Sequence, residues 1–416
     1  MGARATAVTG HGVGTEARVV AGAFLAYGAI FFDRLAPLYL VGVIAADLGV
    51  PSAAEGTLAL LIGVGWAAAM PIARLASGRW SHRRRVVVAG LGSAAIGGLS
   101  VIAPGWGTFV ALRGLAGLVA ATAAPAVTGL TFAAAPARRR GLDLGLVQSS
   151  TRLLGSLLSP ALVTAVAVTA GWRPALLLSA ALVVLGAIVL LVLVPAEVAP
   201  GQPGTSGSLS YRAGGRRNVV VCVIAAAVLL LWLTLISQIG VGLLTGWLDV
   251  STDRAGQLVG AFGLGAAIGA LAVPPLSDRM GRRAALAASA TAGGLGGLLL
   301  GAAALTDAGL APLAVALLLA LGGMAMGGFP LVISIIPAEA VATGDVGRAL
   351  AAPIVGAELV GGAALPALAG AIAAQLGGPV VLLAAAGAVL LVGVLPLALA
   401  PLERSEVIET DPATAP

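Results

Sequence analysis

Lysine is missing from the 416-residue chain altogether, and charged side chains of every kind make up only 10% of it. A soluble domain devotes about a quarter of its residues to charge, so this composition excludes an ordinary water-facing surface. Histidine occurs twice, at His11 and His82, and cysteine once, at Cys222. That leaves no donor set for a structural zinc ion and no disulfide within the chain. Walker motifs, dinucleotide fingerprints and catalytic triads are also missing, so neither ATP-driven transport nor an enzymatic function has residues to carry it. The expectation is a chain that is not an enzyme, has no cofactor and draws energy from a proton gradient.

What is present is apolar. Hydrophobic residues make up 59% of the chain, and 60 glycines lie among Leu, Val and Ala. Small residues of this kind let membrane helices approach closely. Runs long enough to span a bilayer, roughly 20 residues each, fall near 19–44, 56–76, 86–103, 108–133, 143–169 and 174–194. A second set falls near 219–245, 255–276, 284–305, 311–336, 349–373 and 378–400. The first run is too long for a signal-peptide core and lacks a small-residue cleavage pattern. The expected organisation is an N-terminal tail at 1–18, a six-helix bundle at 19–194, a polar linker at 195–218, a second bundle at 219–400 and a C-terminal tail at 401–416.

All basic residues are arginine, and they cluster between apolar runs. The clusters carry no interleaved aromatics, so the net charge of +6 does not point to nucleic acid. Fourteen arginines sit in alternate loops on one side, against Arg173 and Arg254 on the other. By the positive-inside rule both termini are cytoplasmic, and the expected location is the cell inner (plasma) membrane, multi-pass and monomeric in the lipid bilayer. The halves also repeat. LLGSLLSPAL at 153–162 aligns without gaps on LVGGAALPAL at 359–368, an offset of 206. RWSHRRR at 79–85 lies 200 residues before RMGRRAA at 279–285. Two similar six-span halves put a site between them near the midplane.

The stretch SDRMGRR at 277–283 closely resembles the loop signature of the major facilitator superfamily, Gly-x-x-x-Asp-Arg-x-Gly-Arg-Arg, with Pro274 at the opening glycine. The resemblance implies a conformational latch built on Asp278 and Arg279, with Gly281, Arg282 and Arg283 completing the motif. In the first-half copy Gly78 replaces the Asp, Arg79 remains and Ser81 replaces the Gly, which leaves a positive-inside anchor. RGLAG at 113–117, GWR at 171–173 and IIPAEAV at 335–341 resemble further motifs of the superfamily. Its antiporter pattern is not met, because Ser159-Pro160-Ala161-Leu162-Val163 lacks glycines around the proline. The implied fold is all-α and polytopic, with twelve transmembrane helices in two pseudo-symmetric six-helix bundles around a central cavity.

Within that superfamily, FFDRLAPLYLVGVIAADLGV resembles the first span of the anion:cation symporter branch. The resemblance implies an anion contact for Arg34 and proton coupling for Asp33. Ala120 stands where many of those carriers have a glutamate. Physical argument adds to this. A charge at the bilayer centre costs a few kcal/mol or more, so such residues face the bundle interior and pair. Neighbours on a helix point about 100° apart, which stops Asp33 and Arg34 from serving each other well. Asp33 lies about 21 Å from the cytoplasmic side at 1.5 Å per residue, close to the depth of Arg113. An Asp33–Arg113 pair would leave Arg34 free for an anion; a purely structural or gating pair is the alternative.

Arg152 and Glu358 are again 206 residues apart. This symmetric placement of opposite charges, on the cytoplasmic side of the midplane, suggests a switch that closes or opens the inner vestibule, with Glu358 as a second proton carrier. The alternative is local pairing, Arg152 with a helix end and Glu358 with Gln238 or a serine. Tyr27, Tyr39, Gln148, Ser149 and Gln238 could complete a pocket or simply bridge helices. The resulting expectation is a proton-coupled symporter of a small organic anion, a carboxylate or sugar acid, working by alternating access. A proton-coupled drug or metabolite exporter and a non-transporting sensor stay open beside it.

Overall fold

The computed structural model describes residues 13–51, 56–75, 80–136, 139–195, 210–341 and 349–400. Six helices form the first half: α1 (Val13–Tyr39), α2 (Gly56–Leu75), α3 (His82–Ile102), α4 (Trp106–Ala134), α5 (Leu142–Ala170) and α6 (Trp172–Leu193). The second half holds α7 (Gly215–Leu248), α8 (Thr252–Met280), α9 (Arg282–Leu305), α10 (Pro312–Glu339), α11 (Ala351–Leu376) and α12 (Gly378–Ala398). Eleven of them are long and apolar enough to cross a membrane. The twelfth, α2, has 20 residues and reaches about 30 Å. Helices are what a chain of this hydropathy must form, because no water is at hand to satisfy free backbone groups. Among the described residues the one bridge outside helices joins Tyr211 to Val341.

Several boundaries differ from the sequence expectation. Helix α1 begins at Val13, inside the expected tail, and stops at Tyr39, where a short helix Val41–Asp47 takes over. Helix α7 begins at Gly215, inside the expected linker. Pro37 lies inside α1 close to that stop, where its ring weakens the last turn.

The halves share one packing plan. In the first, α1 packs on α5 and α6, α2 on α4, and α3 on α6; in the second, α7 packs on α11 and α12, α8 on α10, and α9 on α12. Across the halves α2 lies against α11, and its counterpart α8 lies against α5. The turns repeat as well. Gly171 between α5 and α6 has φ 89°, and Gly377 between α11 and α12 has φ 88°, a left-handed conformation that glycine adopts without strain.

The crossings between halves use bare backbone. A Cβ on Gly63 of α2 would sit 2.6 Å from the carbonyl carbon of Gly362 on α11. A Cβ on Gly256 of α8 would sit 2.7 Å from the Pro160 carbonyl oxygen on α5. Gly56 opens α2 and Gly256 is the fifth residue of α8, both toward the face opposite the arginine-rich loops, so the halves meet closely there.

Three segments widen from α to π geometry: Thr151–Leu158 in α5, Leu331–Ile335 in α10 and Ala357–Ala364 in α11. The first and third are 206 residues apart at both ends, and each is followed by a proline, Pro160 or Pro366. A proline ring crowds the carbonyl four residues back and offers no N–H. Widening the turn relieves that crowding. The carbonyl five residues before Pro160 belongs to Gly155, and the Tyr39 hydroxyl donates to it at 3.2 Å. Such π-turns gather at functional positions in helices.

Candidate functional site

Asp33 sits near the end of α1 and Arg113 near the start of α4, each about 10 Å from the same face by residue count. Arg113 Nη1 donates to Asp33 Oδ1 at 3.2 Å, and both side chains are buried. The Ser179 hydroxyl of α6 donates to the same oxygen. Gly97 of α3 makes room for the pair, since a Cβ there would lie 3.2 Å from Arg113 Nη1 and 3.3 Å from Asp33 Oδ2. Arg113 Nε and Nη2 find no acceptor among the described residues, though its guanidinium lies 5.9 Å from the Phe109 ring centre. Ser179 and Gly97 carried no sequence signal of their own.

Arg34 is not left free. It points about 100° away from Asp33 and crosses to the other half, where it meets Glu358 of α11 in a two-pronged ion pair. Nη1 donates to Oε1 at 2.9 Å and Nη2 to Oε2 at 2.6 Å. Glu358 therefore pairs neither with Gln238 nor with a serine. A residue count along a straight α11 places Glu358 nearer the arginine-rich face. The π-turn and the Gly63–Gly362 crossing bring it against Arg34 instead. A Cβ on Gly362 would lie 2.8 Å from Glu358 Oε2, so glycine there leaves space for the carboxylate. The guanidinium is 3.9 Å from the ring centre of Trp66 and 5.4 Å from that of Phe31. Trp66 is a site residue that sequence reasoning missed; the signal was an aromatic inside the second span.

Arg152, second residue of the α5 π-segment, is 5% exposed. Its guanidinium lies 5.2 Å from the ring centre of Phe329 on α10. No carboxylate among the described residues pairs with it, and its Nη1 has no hydrogen-bond partner. Tyr27, Arg34, Tyr39 and Glu358 are close enough to act on it electrostatically. Arg152 and Glu358 thus lie near one another at equivalent positions of the repeat, and Glu358 pairs with Arg34 and not with Arg152.

The expected central cavity is filled in this conformation. Beside Arg34 lie two voids of about 10 Å³ each, at the lower limit for a single water. Glu358 and Trp66 occupy the space that the expectation left open. A larger cavity of about 660 Å³ opens instead at the face opposite the arginine-rich loops, lined by Tyr39, Gln238, Trp247 and Asp307 among others. Gln238 Oε1 is buried there without a partner. The Ser237 hydroxyl lies 3.3 Å from the Tyr39 hydroxyl, which ties α7 to α1. Tyr27 meets Phe31 edge to face at 5.1 Å. Gln148 is half-buried, and its backbone carbonyl accepts from the Thr151 hydroxyl at 2.8 Å.

On the arginine-rich face, the loop between α8 and α9 is organised by Arg282, not Arg279. Arg282 pairs with Asp278, reaches the Ser277 hydroxyl at 2.6 Å, and holds Glu339 at the end of α10 at 2.8 Å. Gly281 makes the turn with φ 91°. Arg279 is exposed and has no ion pair among the described residues. It precedes the turn and projects outward, whereas Arg282 follows the turn and lies one helical step from Asp278. Arg283 caps the end of α12 through the Leu399 carbonyl, and Arg83 does the same for α6 through Leu191 at 2.7 Å. Arg79 lies outside the described residues.

The model of the Major Facilitator Superfamily matches residues 19–249 and 240–415. The chain belongs to that superfamily. No protein of curated function matches it in sequence. Solved structures agree on the fold. A D-xylose–proton symporter superposes with a TM-score of 0.73 at 15% identity, covering 94% of this chain and 98% of its own. A POT family transporter complexed with a thioalcohol-conjugated peptide gives 0.72 at 12% identity, covering 91% and 94%. A bacterial homolog of the human lysosomal transporter Spinster, inward-facing and occupied, gives 0.66 at 14% identity, covering 92% and 97%. At these identities the likeness is one of fold.

Major facilitator membership makes the chain a multi-pass membrane transporter. The geometry of its α8–α9 loop yields a first expected result. Arg282→Ala should lower unfolding stability by about 1 kcal/mol, the range of partly exposed ion pairs, while Arg279→Ala should leave it unchanged. Thermal unfolding of the purified variants distinguishes the two, and equal losses would remove Arg282 from the centre of the loop.

Proposed function

We propose that the chain couples proton movement to the transport of a small organic anion by alternating access, with Arg34 and Glu358 as the exchange point. The observation that carries this reading is the two-pronged pair between them. The guanidinium fork of Arg34 already holds a carboxylate, in the geometry a substrate carboxylate would adopt. Glu358 stands in for that substrate. When Glu358 takes a proton, its charge is lost and the fork is released to an incoming anion. When the anion leaves, Glu358 gives up the proton and closes the pair again. Because Arg34 belongs to one half and Glu358 to the other, each exchange makes or breaks a link between halves. Asp33, held by Arg113 and Ser179, positions α1 and keeps Arg34 turned toward α11.

The arginine-rich loops support a cytoplasmic location for their face. The 660 Å³ cavity then lies on the outer side, and Tyr39 and Gln238 line its floor.

The test is uptake of labelled carboxylates into proteoliposomes under an inward proton gradient. One proton per anion supports about a tenfold accumulation per pH unit, equivalent to 1.4 kcal/mol. Glu358→Gln, which mimics the protonated form, should abolish gradient-driven accumulation while anion exchange without a gradient continues. Accumulation by the variant equal to that of the unchanged protein would sink the proposal.

A further inference from the structure

The buried charges in the centre of the molecule do not balance. Among the described residues Arg34, Arg113 and Arg152 face only Asp33 and Glu358, which leaves one positive charge over. The surplus is Arg152, whose Nη1 lacks any partner and whose guanidinium rests on the Phe329 ring. An aromatic face compensates a desolvated cation only in part, by about 2 kcal/mol, far less than the cost of burying an isolated charge. The remaining buried charged groups, Glu16, Arg85 and Asp143, begin the arginine-rich ends of α1, α3 and α5 and do not offset it.

Two cations of the first half therefore reach into the second. Arg34 lies on Trp66 and holds Glu358; Arg152 lies on Phe329 and holds nothing. The charged and titratable groups acting on the space between them are Glu358 and the Tyr27 and Tyr39 hydroxyls. Once Glu358 is neutralised and withdraws, both guanidinium groups stand uncompensated, a charge of two.

We infer that the substrate is a dicarboxylate whose two carboxylates bridge Arg34 and Arg152. This deepens the proposal above and rests on it. A monocarboxylate settles on one guanidinium and leaves the other buried and unpaired. A dianion restores neutrality in a low-dielectric site, where unpaired charge is most costly. The two guanidinium groups lie on separate aromatic platforms and separate helices, which suits two acidic groups joined by a short carbon chain better than a single compact anion.

The experiment compares succinate with butyrate, equal in carbon number and different by one carboxylate, as ligands of the purified full-length protein in thermal-shift titrations. Succinate should reach half-saturation at a concentration at least tenfold lower. Arg152→Gln should bring the two within about twofold, and Arg152→Lys, which keeps the charge, should restore part of the preference. If Arg152→Gln does not fold, the lysine variant and the ratio in the unchanged protein carry the test. Equal binding of both anions by the unchanged protein, or an unchanged ratio in the glutamine variant, overturns the inference. Butyrate binding that disappears in Arg34→Ala without any succinate preference would overturn the inference and leave the proposed function standing. Failure to bind either anion would overturn both.

Discussion

Arg34→Ala is expected to abolish transport and to destabilise the protein by about 3–5 kcal/mol, the cost of stranding one partner of a buried ion pair. Glu358 would be left with both carboxylate oxygens unpaired, and Trp66 would lose the cation resting 3.9 Å from its ring centre. The stability loss alone does not prove a functional role, so the double variant Arg34→Leu/Glu358→Leu is the informative companion. Replacing a whole buried pair with apolar side chains is often neutral or stabilising. The double variant should therefore recover most of the lost stability, and the difference from additivity measures the coupling. Transport should stay at background in it, because the Arg34 fork and the carboxylate that trades places with the anion are both gone. Recovery of transport along with stability would reduce Arg34–Glu358 to a structural tie.

Gly63→Leu has the second large expected effect. The Cβ alone would approach the Gly362 carbonyl carbon to 2.6 Å, its oxygen to 2.6 Å and the Ala363 Cβ to 2.7 Å. Backbone on a packed helix cannot yield by that much, so α2 and α11 must separate. The contact between the halves at this crossing then opens, and the Arg34–Glu358 pair, one turn from Gly362 along α11, is stretched. The measurement is labelling of a cysteine placed at Ala59 on α2 by a membrane-impermeant reagent, with Cys222 first replaced by serine. Ala59 is 1% exposed and borders a void beside Arg34. Labelling should rise at least tenfold in Gly63→Leu, and an unchanged rate would mean that the crossing does not hold the face shut. Uptake should fall to background as well, since a carrier held open at one face cannot complete its cycle.

The span positions were legible because hydropathy over 20 residues is a strong signal. The two-half plan was legible because glycines and prolines recur at a fixed offset. The Asp33–Arg113 pair followed from counting helical rise on two straight helices. The count stopped working on α11, where the π-turn and the bare-backbone crossing move Glu358, and neither leaves a trace in a residue count. Arg34 was accordingly expected to stand free. The motif SDRMGRR brought forward Asp278, Arg279, Arg282 and Arg283 together, and of these arginines it is Arg282 that pairs with Asp278. Pairing there depends on which side of the Gly281 turn each side chain emerges, and that is a property of backbone geometry.

Each π-turn carries a consequence for motion. A π-turn stores one residue beyond the α register, so returning it to α geometry winds everything beyond it by about 100° and advances it by about 1.5 Å. In α5 and α11 the stored residue sits beside Arg152 and Glu358. Unwinding there would turn the buried charge away from the centre with the helix still hydrogen-bonded along its length. The two helices belong to different halves and press on α8 and α2 respectively. A slack residue released on one side of the molecule has a matching reserve on the other, which allows the halves to exchange postures without either helix breaking.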